Sequence, residues 1–344
     1  MPTGRLCLGS DVHIDDCSHE AGAPRPSVRF GRAGAAAVAL VLLLVAACGG
    51  GGSDEDDSAS TTTEAATTDE PATPLDVDVV TETFVDTSRP TAAGAEAPAR
   101  PERTLVTRIA HPAGGGPYPL LVLSHGATGH PDEYAETVPM WASDGFVVAA
   151  PTFPLTNRDV PGALGNVGDV VHQPGDVSFV IDEVLAANDD PDSPLHGLVD
   201  PEAIGVVGHS LGGATTWAVS FDTATRDERI DSTVIFAGLT LPMPGGELAV
   251  DTGLPLLVLH GDEDDVPIEW DREVWDRAVA PKWFVTLHGA THVPAFTDAL
   301  SPHDELVTRT VLDFWHGTLD GDEAALAHVT PAATDPTLTT VAHE

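Results

Sequence analysis

The chain has 344 residues, and 54 acidic residues against 15 Lys and Arg give it a formal net charge of −39 at pH 7. Such a surface repels nucleic acid and anionic membrane faces, which argues against a nucleic-acid partner. The same charge suits either strong salt, which screens the carboxylates from one another, or a secreted protein that its charge keeps soluble. The length accommodates one large α/β domain with residues to spare.

The N-terminal part of the chain holds all three cysteines, Cys7, Cys17 and Cys48. The presumed folded body therefore needs neither a disulfide nor a cysteine nucleophile. Residues 1–27 show no apolar periodicity. We expect them to be a non-native extension, with translation starting at Val28.

Residues 28–47 have the pattern of a secretory signal peptide, because two arginines precede an apolar run of fifteen residues that ends at Ala47. This run is too short to span a bilayer comfortably. Val45-Ala46-Ala47-Cys48 resembles a bacterial lipobox, and the resemblance implies cleavage before Cys48 and lipid attachment to it. Residues 48–76 combine Gly, Asp, Glu and Thr, a composition that predicts a disordered tether. We therefore expect an extracellular protein that Cys48 anchors to the bacterial membrane.

The folded body is predicted to begin near Val77 and to alternate strands with helices. The predicted strands cover residues 77–86, 104–110, 119–124, 146–150, 204–207, 233–236, 256–259 and 283–287. The predicted helices cover residues 134–143, 176–187, 214–219, 268–278 and 304–316. This alternation favours a mainly parallel sheet with helices on both faces, in a catalytic domain spanning 77–318. Residues 319–344 are expected to form a short helix at 322–329 and a Thr- and Pro-rich tail with little chemistry.

The hexapeptide Gly208-His209-Ser210-Leu211-Gly212-Gly213 links the predicted strand 204–207 to the helix 214–219. A strand, a sharp turn and a helix with glycines two residues before and after the serine predict a nucleophile elbow, which exposes the Ser210 hydroxyl above the sheet. A G-x-S-x-G pentapeptide also occurs by chance. The rest of the chain must therefore supply catalytic partners in the right order.

A serine nucleophile needs a histidine base and a carboxylate. In mainly parallel α/β folds with a nucleophile elbow, the acid follows the serine in the chain and the histidine follows the acid, each on a loop after a strand. The strand 256–259 leads into His260-Gly261-Asp262-Glu263-Asp264-Asp265. We assign the acid to Asp264, with Asp262 and Asp265 as alternatives. The strand 283–287 leads into a loop with His288 and His292, and we prefer His292 because it can reach back over the sheet.

Two backbone amides are also needed, to stabilise the oxyanion formed when the serine attacks a carbonyl group. One should be that of Leu211, at the N-terminus of the helix that follows the nucleophile. The second should come from the loop after the strand 119–124, where Ala127 is the first choice and Thr128 the second. His125 and His209 are expected to be structural.

Several segments together resemble the α/β-hydrolase superfamily. They are Ser124-His125-Gly126-Ala127-Thr128-Gly129, residues 141–151, residues 173–178, the elbow and Gly289-Ala290-Thr291-His292. Within the superfamily, residues 77–330 look most like the dienelactone-hydrolase-like group, which is related to platelet-activating-factor acetylhydrolases and polyester-cleaving cutinases. The resemblance implies an α/β-hydrolase fold. We expect no large cap domain, because the loops 152–174 and 239–253 are too short for one.

Three departures from these relatives bear on the assignment. Dienelactone hydrolases use a cysteine nucleophile, where this chain has Ser210. The animal acetylhydrolases take their acid from the loop corresponding to 237–240, which holds no carboxylate here, and this favours Asp264. The cutinases usually carry an aromatic residue in the oxyanion loop, where this chain has Ala127 and Thr128.

These features predict a serine esterase or lipase that acts on short or medium acyl esters through a Ser-His-Asp triad, without a metal or organic cofactor. Phe153, Leu155, Trp217 and Met243 either line an acyl pocket or pack in the core. Three other functions are weighed against the esterase: a peptidase or amidase on small peptides, a catalytically silent envelope-binding protein, and a solute-binding lipoprotein. The last is disfavoured because no two-lobe pattern is visible.

Overall fold

The computed structural model describes residues 73–241 and 243–344. The predicted extension, the signal peptide, Cys48 and most of the predicted tether lie outside these residues. Among the residues described, no helix has both the length and the apolar character that crossing a membrane requires. Residues 73–76, assigned from the sequence to the end of the tether, precede the first strand, and the Leu75 amide donates to the Ser143 carbonyl at 2.8 Å.

Nine strands within the described residues form one sheet in the order β1-β2-β4-β3-β5-β6-β7-β8-β9. Their bounds are β1 Val77–Asp86, β2 Arg103–Pro112, β3 Tyr118–Ser124, β4 Val147–Thr152, β5 Val199–His209, β6 Ser232–Phe236, β7 Leu256–Gly261, β8 Lys282–Leu287 and β9 Thr339–His343. Strands β3 to β8 pair in parallel. Antiparallel strands complete the sheet at both edges, β1 and β2 on one side and β9 on the other.

Helices cover both faces of this sheet. They are α1 Thr137–Ser143, α2 Gln173–Asp189, α3 Leu211–Phe221, α4 Ile268–Trp275, α5 Asp304–Leu319 and α6 Glu323–Ala333. One core packs α1, α5 and α6 against the sheet, and two further clusters pack α2, α3 and α4 against the opposite face. The central strands are buried along nearly their whole length, which explains their continuous apolar runs.

The predicted α/β-hydrolase fold is therefore confirmed, with a large and mainly parallel sheet flanked by helices. Neither the loop 152–174 nor the loop 239–253 forms a helical cap within the described residues. The β4–α2 connection holds the 3₁₀-helix Ala163–His172, and the described residues between β6 and β7 hold no helix. The carboxyl ends of the parallel strands are thus left accessible, and in such sheets that edge carries the site.

The C-terminal part of the chain corrects the sequence prediction of a tail. Helix α6 extends to Ala333, beyond the predicted end at residue 329. Residues 339–343 form β9, which pairs antiparallel with β8. A five-residue strand that contains two threonines gives almost no periodic signal. Strand β9 forms because the edge of β8 offers unpaired backbone groups, and β8 lies in a distant part of the chain.

Candidate active site

The nucleophile elbow is formed where β5 meets α3. Ser210 has φ 58° and ψ −119°, a conformation that side chains rarely adopt, and its amide donates to the Phe236 carbonyl at 3.0 Å. A methyl group at Gly208 would overlap the Gly212 carbonyl, and one at Gly212 would overlap the Ser124 carbonyl. Both glycines are therefore required by close backbone packing around the serine.

A continuous hydrogen-bonded chain links Ser210, His292 and Asp264. The Ser210 Oγ lies 2.7 Å from His292 Nε2, and His292 Nδ1 lies 2.9 Å from Asp264 Oδ2. Because a carboxylate can only accept, Nδ1 carries the proton and Nε2 is free to accept from the serine hydroxyl. The geometry thus brings together the three residues predicted from the sequence, and the histidine side chain is 25% exposed.

The Asp264 carboxylate is held in one orientation. Its side chain is fully buried, and Oδ1 accepts from the Val266 amide at 2.7 Å. Burial by itself raises the pKa of this carboxyl, but the hydrogen bonds from His292 and Val266 and the charges of the neighbouring histidines outweigh burial and hold the pKa below its ordinary value. Asp264 is therefore an ionised partner for the histidine.

The alternative acids and base lie away from Ser210. Asp262 accepts from the Gly289 amide at 2.7 Å, and Asp265 is exposed. His288 Nε2 lies 2.8 Å from the Thr340 hydroxyl on β9. None of these three side chains has a hydrogen bond to His292 or Ser210 among the described residues.

The loop after β3 passes directly over the nucleophile, since a methyl group at Gly126 would lie 3.2 Å from the Ser210 Cβ. The Thr128 amide is already used, because it donates to the Thr156 carbonyl at 2.7 Å. Within the described residues, the Ala127 amide has no hydrogen-bond partner, and neither has that of Leu211 at the first position of α3. These two amides remain available to a ligand.

His125 fixes the orientation of the Gly126–Ala127 peptide. Its Nε2 accepts from the Phe153 amide at 3.1 Å, so the proton lies on Nδ1, which donates to the Gly126 carbonyl at 2.8 Å. The Gly126 carbonyl also accepts from the Gly129 amide at 3.0 Å. A trans peptide directs its N–H opposite to its carbonyl, so these bonds also set the direction of the Ala127 amide. Burial lowers the pKa of His125 to about 4, which keeps the ring neutral.

His209 supports the base from the other side. Its Nε2 donates to the His292 carbonyl at 2.6 Å, and its ring packs against those of His292 and Phe296. Burial lowers the pKa of His209 to about 4, so the ring is neutral. The sequence predicted a structural role for His125 and His209 but did not identify the groups they hold.

Two residues behind the acid were missed by the sequence analysis. His260 lies at the end of β7 between Asp264 and Asp271, and Asp271 lies in α4. A signal was present: residues 271, 274, 275 and 278 share one face of the helix predicted at 268–278, which places an aspartate on its apolar side.

An apolar cluster includes Leu211 and Ala127, the two residues whose amides are free. Its buried members include Leu211, which follows Ser210, and Met243 in the β6–β7 loop. Half-buried Ala127, Leu239 and Leu241 pack against them. The other aromatic and aliphatic candidates for an acyl pocket, Phe153, Leu155 and Trp217, are buried and pack in the core. An apolar surface therefore borders both free amides.

A separate cavity of about 260 Å³ lies between α1, α5 and the 3₁₀-helix Pro294–Phe296. Trp141, Phe236 and Phe296 are among its lining residues, but Ser210 and His292 are not. The hydrogen-bonded chain of Ser210, His292 and Asp264 therefore lies outside this cavity. No group of three or more His, Cys, Asp or Glu side chains in the described part of the chain could hold a metal ion.

Residues 78–240 match the chlorophyllase family model, which is of the α/β-hydrolase type. The matched segment runs from β1 to the loop after β6, so it includes Ser210 and Ala127 but ends before Asp264 and His292. No curated protein matches the chain significantly. The match supports a hydrolase, and the closer resemblance to the dienelactone-hydrolase-like group remains a prediction.

Proposed function

We propose that this protein is a serine hydrolase that cleaves carboxylic esters through Ser210, His292 and Asp264. The observation that carries the proposal is the hydrogen-bonded chain from the Ser210 hydroxyl to the Asp264 carboxylate, with distances of 2.7 and 2.9 Å. The family match adds support, because the chlorophyllase family hydrolyses esters.

In the proposed reaction, the Ser210 Oγ attacks the ester carbonyl carbon while its proton passes to His292 Nε2. The Asp264 carboxylate stabilises the imidazolium that results. The amides of Leu211 and Ala127 donate to the negative oxygen of the tetrahedral intermediate. The intermediate then collapses, the C–O bond to the alcohol breaks, and His292 returns the proton to the departing oxygen. A water molecule repeats these steps on the acyl-enzyme, which releases the acid and restores Ser210.

The substrate is proposed to be an ester with an apolar acyl or alcohol group of short or medium length. The apolar cluster around Leu211 borders the two amides, so a chain attached to the reacting carbonyl would rest on it. The surface charge disfavours anionic substrates, since the chain has a formal net charge of −39. The name of the matched family also makes chlorophyll a candidate.

The place of action is proposed from the sequence alone. The residues around Cys48 resemble a lipobox, so we propose a lipid anchor on the outer face of a bacterial membrane. Incorporation of a labelled fatty acid into the wild-type chain, but not into Cys48→Ala, would support the anchor. Equal labelling of both chains would refute it.

The enzymatic proposal is tested with the full chain in detergent, on p-nitrophenyl esters of graded chain length and on chlorophyll. Wild type should turn over at least one ester, and Ser210→Ala should lose about 10³-fold or more of kcat. Ser220→Ala changes a serine on the same helix and should retain turnover.

A fluorophosphonate probe provides a second readout, with mass spectrometry to locate the label. Labelling of Ser210 together with ester turnover supports the proposal. Labelling without turnover of any ester would overturn it in favour of an amidase. The absence of both would favour a catalytically silent binding protein.

A further inference from the structure

A buried histidine, His260, lies between two carboxylates. One is Asp264, the acid of the candidate site, and the other is Asp271. The side chains of His260, Asp264 and Asp271 are all fully buried. His260 Nδ1 lies 2.9 Å from Asp271 Oδ2. On the other side of the ring, Nε2 lies 3.1 Å from the Val266 carbonyl and 3.6 Å from Asp264 Oδ2.

Both ring nitrogens of His260 therefore face acceptors. The Val266 carbonyl can only accept, so Nε2 must carry a proton. Asp271 already accepts from the Trp217 indole N–H through Oδ1 and from the Gly238 amide through Oδ2, each at 2.8 Å. Because both Asp271 oxygens act as acceptors, the contact between Asp271 Oδ2 and His260 Nδ1 requires a proton on Nδ1 as well.

The electrostatics agree with this hydrogen-bond argument. Burial by itself lowers the pKa of His260, but the hydrogen bond and the charge of Asp271, the Val266 carbonyl and the charge of Asp264 outweigh burial and raise the pKa above its ordinary value. The direction of this shift favours a protonated ring between the two buried carboxylates.

We propose that His260 is a positioning residue, an imidazolium that clamps the Asp264 turn and keeps the Asp264 carboxylate ionised. The clamp is direct, because Val266 accepts from His260 through its carbonyl and donates to Asp264 through its amide. Asp271 secures the clamp to the nucleophile helix through Trp217. This inference rests on the proposed function, since its effect on catalysis is exerted through Asp264 and His292.

The charge of His260 also acts on the base. His260 Nε2 and His292 Nδ1 approach the same atom, Asp264 Oδ2, at 3.6 and 2.9 Å. Four titratable groups face or adjoin the ring: Asp271 of α4, Asp264 of the β7–α4 turn, His292 of the loop after β8, and His209 at the end of β5. A positive charge at His260 opposes protonation of His292. Its removal should therefore move the acid limb of the rate profile to higher pH, by about 1 pH unit.

The first test needs no substitution. With ¹⁵N-labelled histidine in the full chain, the His260 ring should show two protonated nitrogens from pH 5 to 8, and its signals are assigned by their loss in His260→Gln. One bare nitrogen at pH 7 would overturn the proposal.

The second test follows fluorophosphonate labelling of Ser210 against pH in His260→Gln, which keeps a donor without a charge, and in His260→Lys, which restores the charge. Labelling by His260→Gln should be about tenfold slower at pH 6 with its acid limb shifted upward, and His260→Lys should recover part of the wild-type profile. Asp271→Asn should shift the limb in the same direction. His303→Gln is the matched control, because His303 is also buried and bonds a backbone carbonyl, that of His288, without a carboxylate hydrogen bond. The His303→Gln variant should lower stability without any shift of the acid limb.

A His260→Gln profile that coincides with that of wild type would overturn the inference, as would an equal shift in His303→Gln. If wild type itself leaves Ser210 unlabelled at every pH, the proposed function fails instead. The nitrogen spectrum still reports the charge of His260 in that case, so the two failures are distinguishable.

Discussion

Replacement of His209 by methionine should slow catalysis without weakening substrate binding. His209 is 5% exposed, and its Nε2–H donates to the His292 carbonyl at 2.6 Å. Methionine fills a similar volume but offers no donor, so the carbonyl of the base residue loses its partner and His292 is free to shift away from Ser210.

The size of the effect follows from the lost hydrogen bond. A buried group left without its partner costs about 1–3 kcal/mol. If that energy is lost from the stabilisation of the transition state, kcat decreases about 5- to 160-fold. Because burial lowers the pKa of His209 to about 4, the neutral ring donates the same hydrogen bond throughout the working range. The fold-loss should therefore be constant from pH 6 to pH 9.

The assay compares kcat, KM and urea unfolding for three variants. His209→Gln places an amide donor near the position of Nε2 and should recover most of the activity. His303→Met is the matched control, because His303 Nε2 lies 3.1 Å from the carbonyl of His288, which belongs to the same loop after β8 as His292. It should lose stability by a similar amount while kcat remains within about twofold of wild type.

Two results would refute this reasoning. Equal losses in His209→Met and His209→Gln would mean that the hydrogen bond is not what positions the base. An equal loss of kcat in His303→Met would mean that general destabilisation of the loop explains the effect.

Three further predictions concern the acid, the elbow and a surface ion pair. Asp264→Asn should lower kcat about 10³- to 10⁴-fold while the exposed Asp265→Asn stays near wild type in the ester assay. Gly212→Ala should destabilise the protein by about 3 kcal/mol in urea unfolding, whereas Gly114→Ala, with open space around it, should be neutral. His316→Gln should cost about 1–2 kcal/mol of unfolding free energy at pH 6 and nothing near pH 10.

The sign of the last prediction follows from the partners of His316. Burial by itself lowers its pKa, but hydrogen bonds to Asp144 and Asp320 outweigh burial and raise the pKa from 6.5 to about 9. Because the folded value is the higher one, the stabilisation is complete below pH 6.5 and is lost as the pH rises through 9. A difference that persists at pH 10 would contradict this assignment. For the other two, equal activity of both aspartate variants or a neutral Gly212→Ala would count against the site and the elbow.

The local part of the site could be predicted from the sequence. The elbow is encoded within six consecutive residues, because only glycine tolerates the close approach of Gly208 and Gly212 to neighbouring backbone. The strands were identified from apolar runs, since central parallel strands are buried on both faces. Chain order then led to Asp264 and His292, which lie on loops after successive parallel strands and so share one edge of the sheet with Ser210.

Tertiary structure decided what depends on partners distant in sequence. The strand β9 forms because β8 exposes an edge, which its own short sequence does not indicate. Likewise, a buried histidine has no fixed role in the sequence: His125 holds a peptide plane, His209 holds a carbonyl, and His260 lies between two carboxylates. Hydrogen-bond partners and burial determine the charge of each ring. The sequence alone therefore determined the fold and the position of the candidate nucleophile, while packing among residues far apart in the chain determined how the neighbouring side chains are oriented and charged.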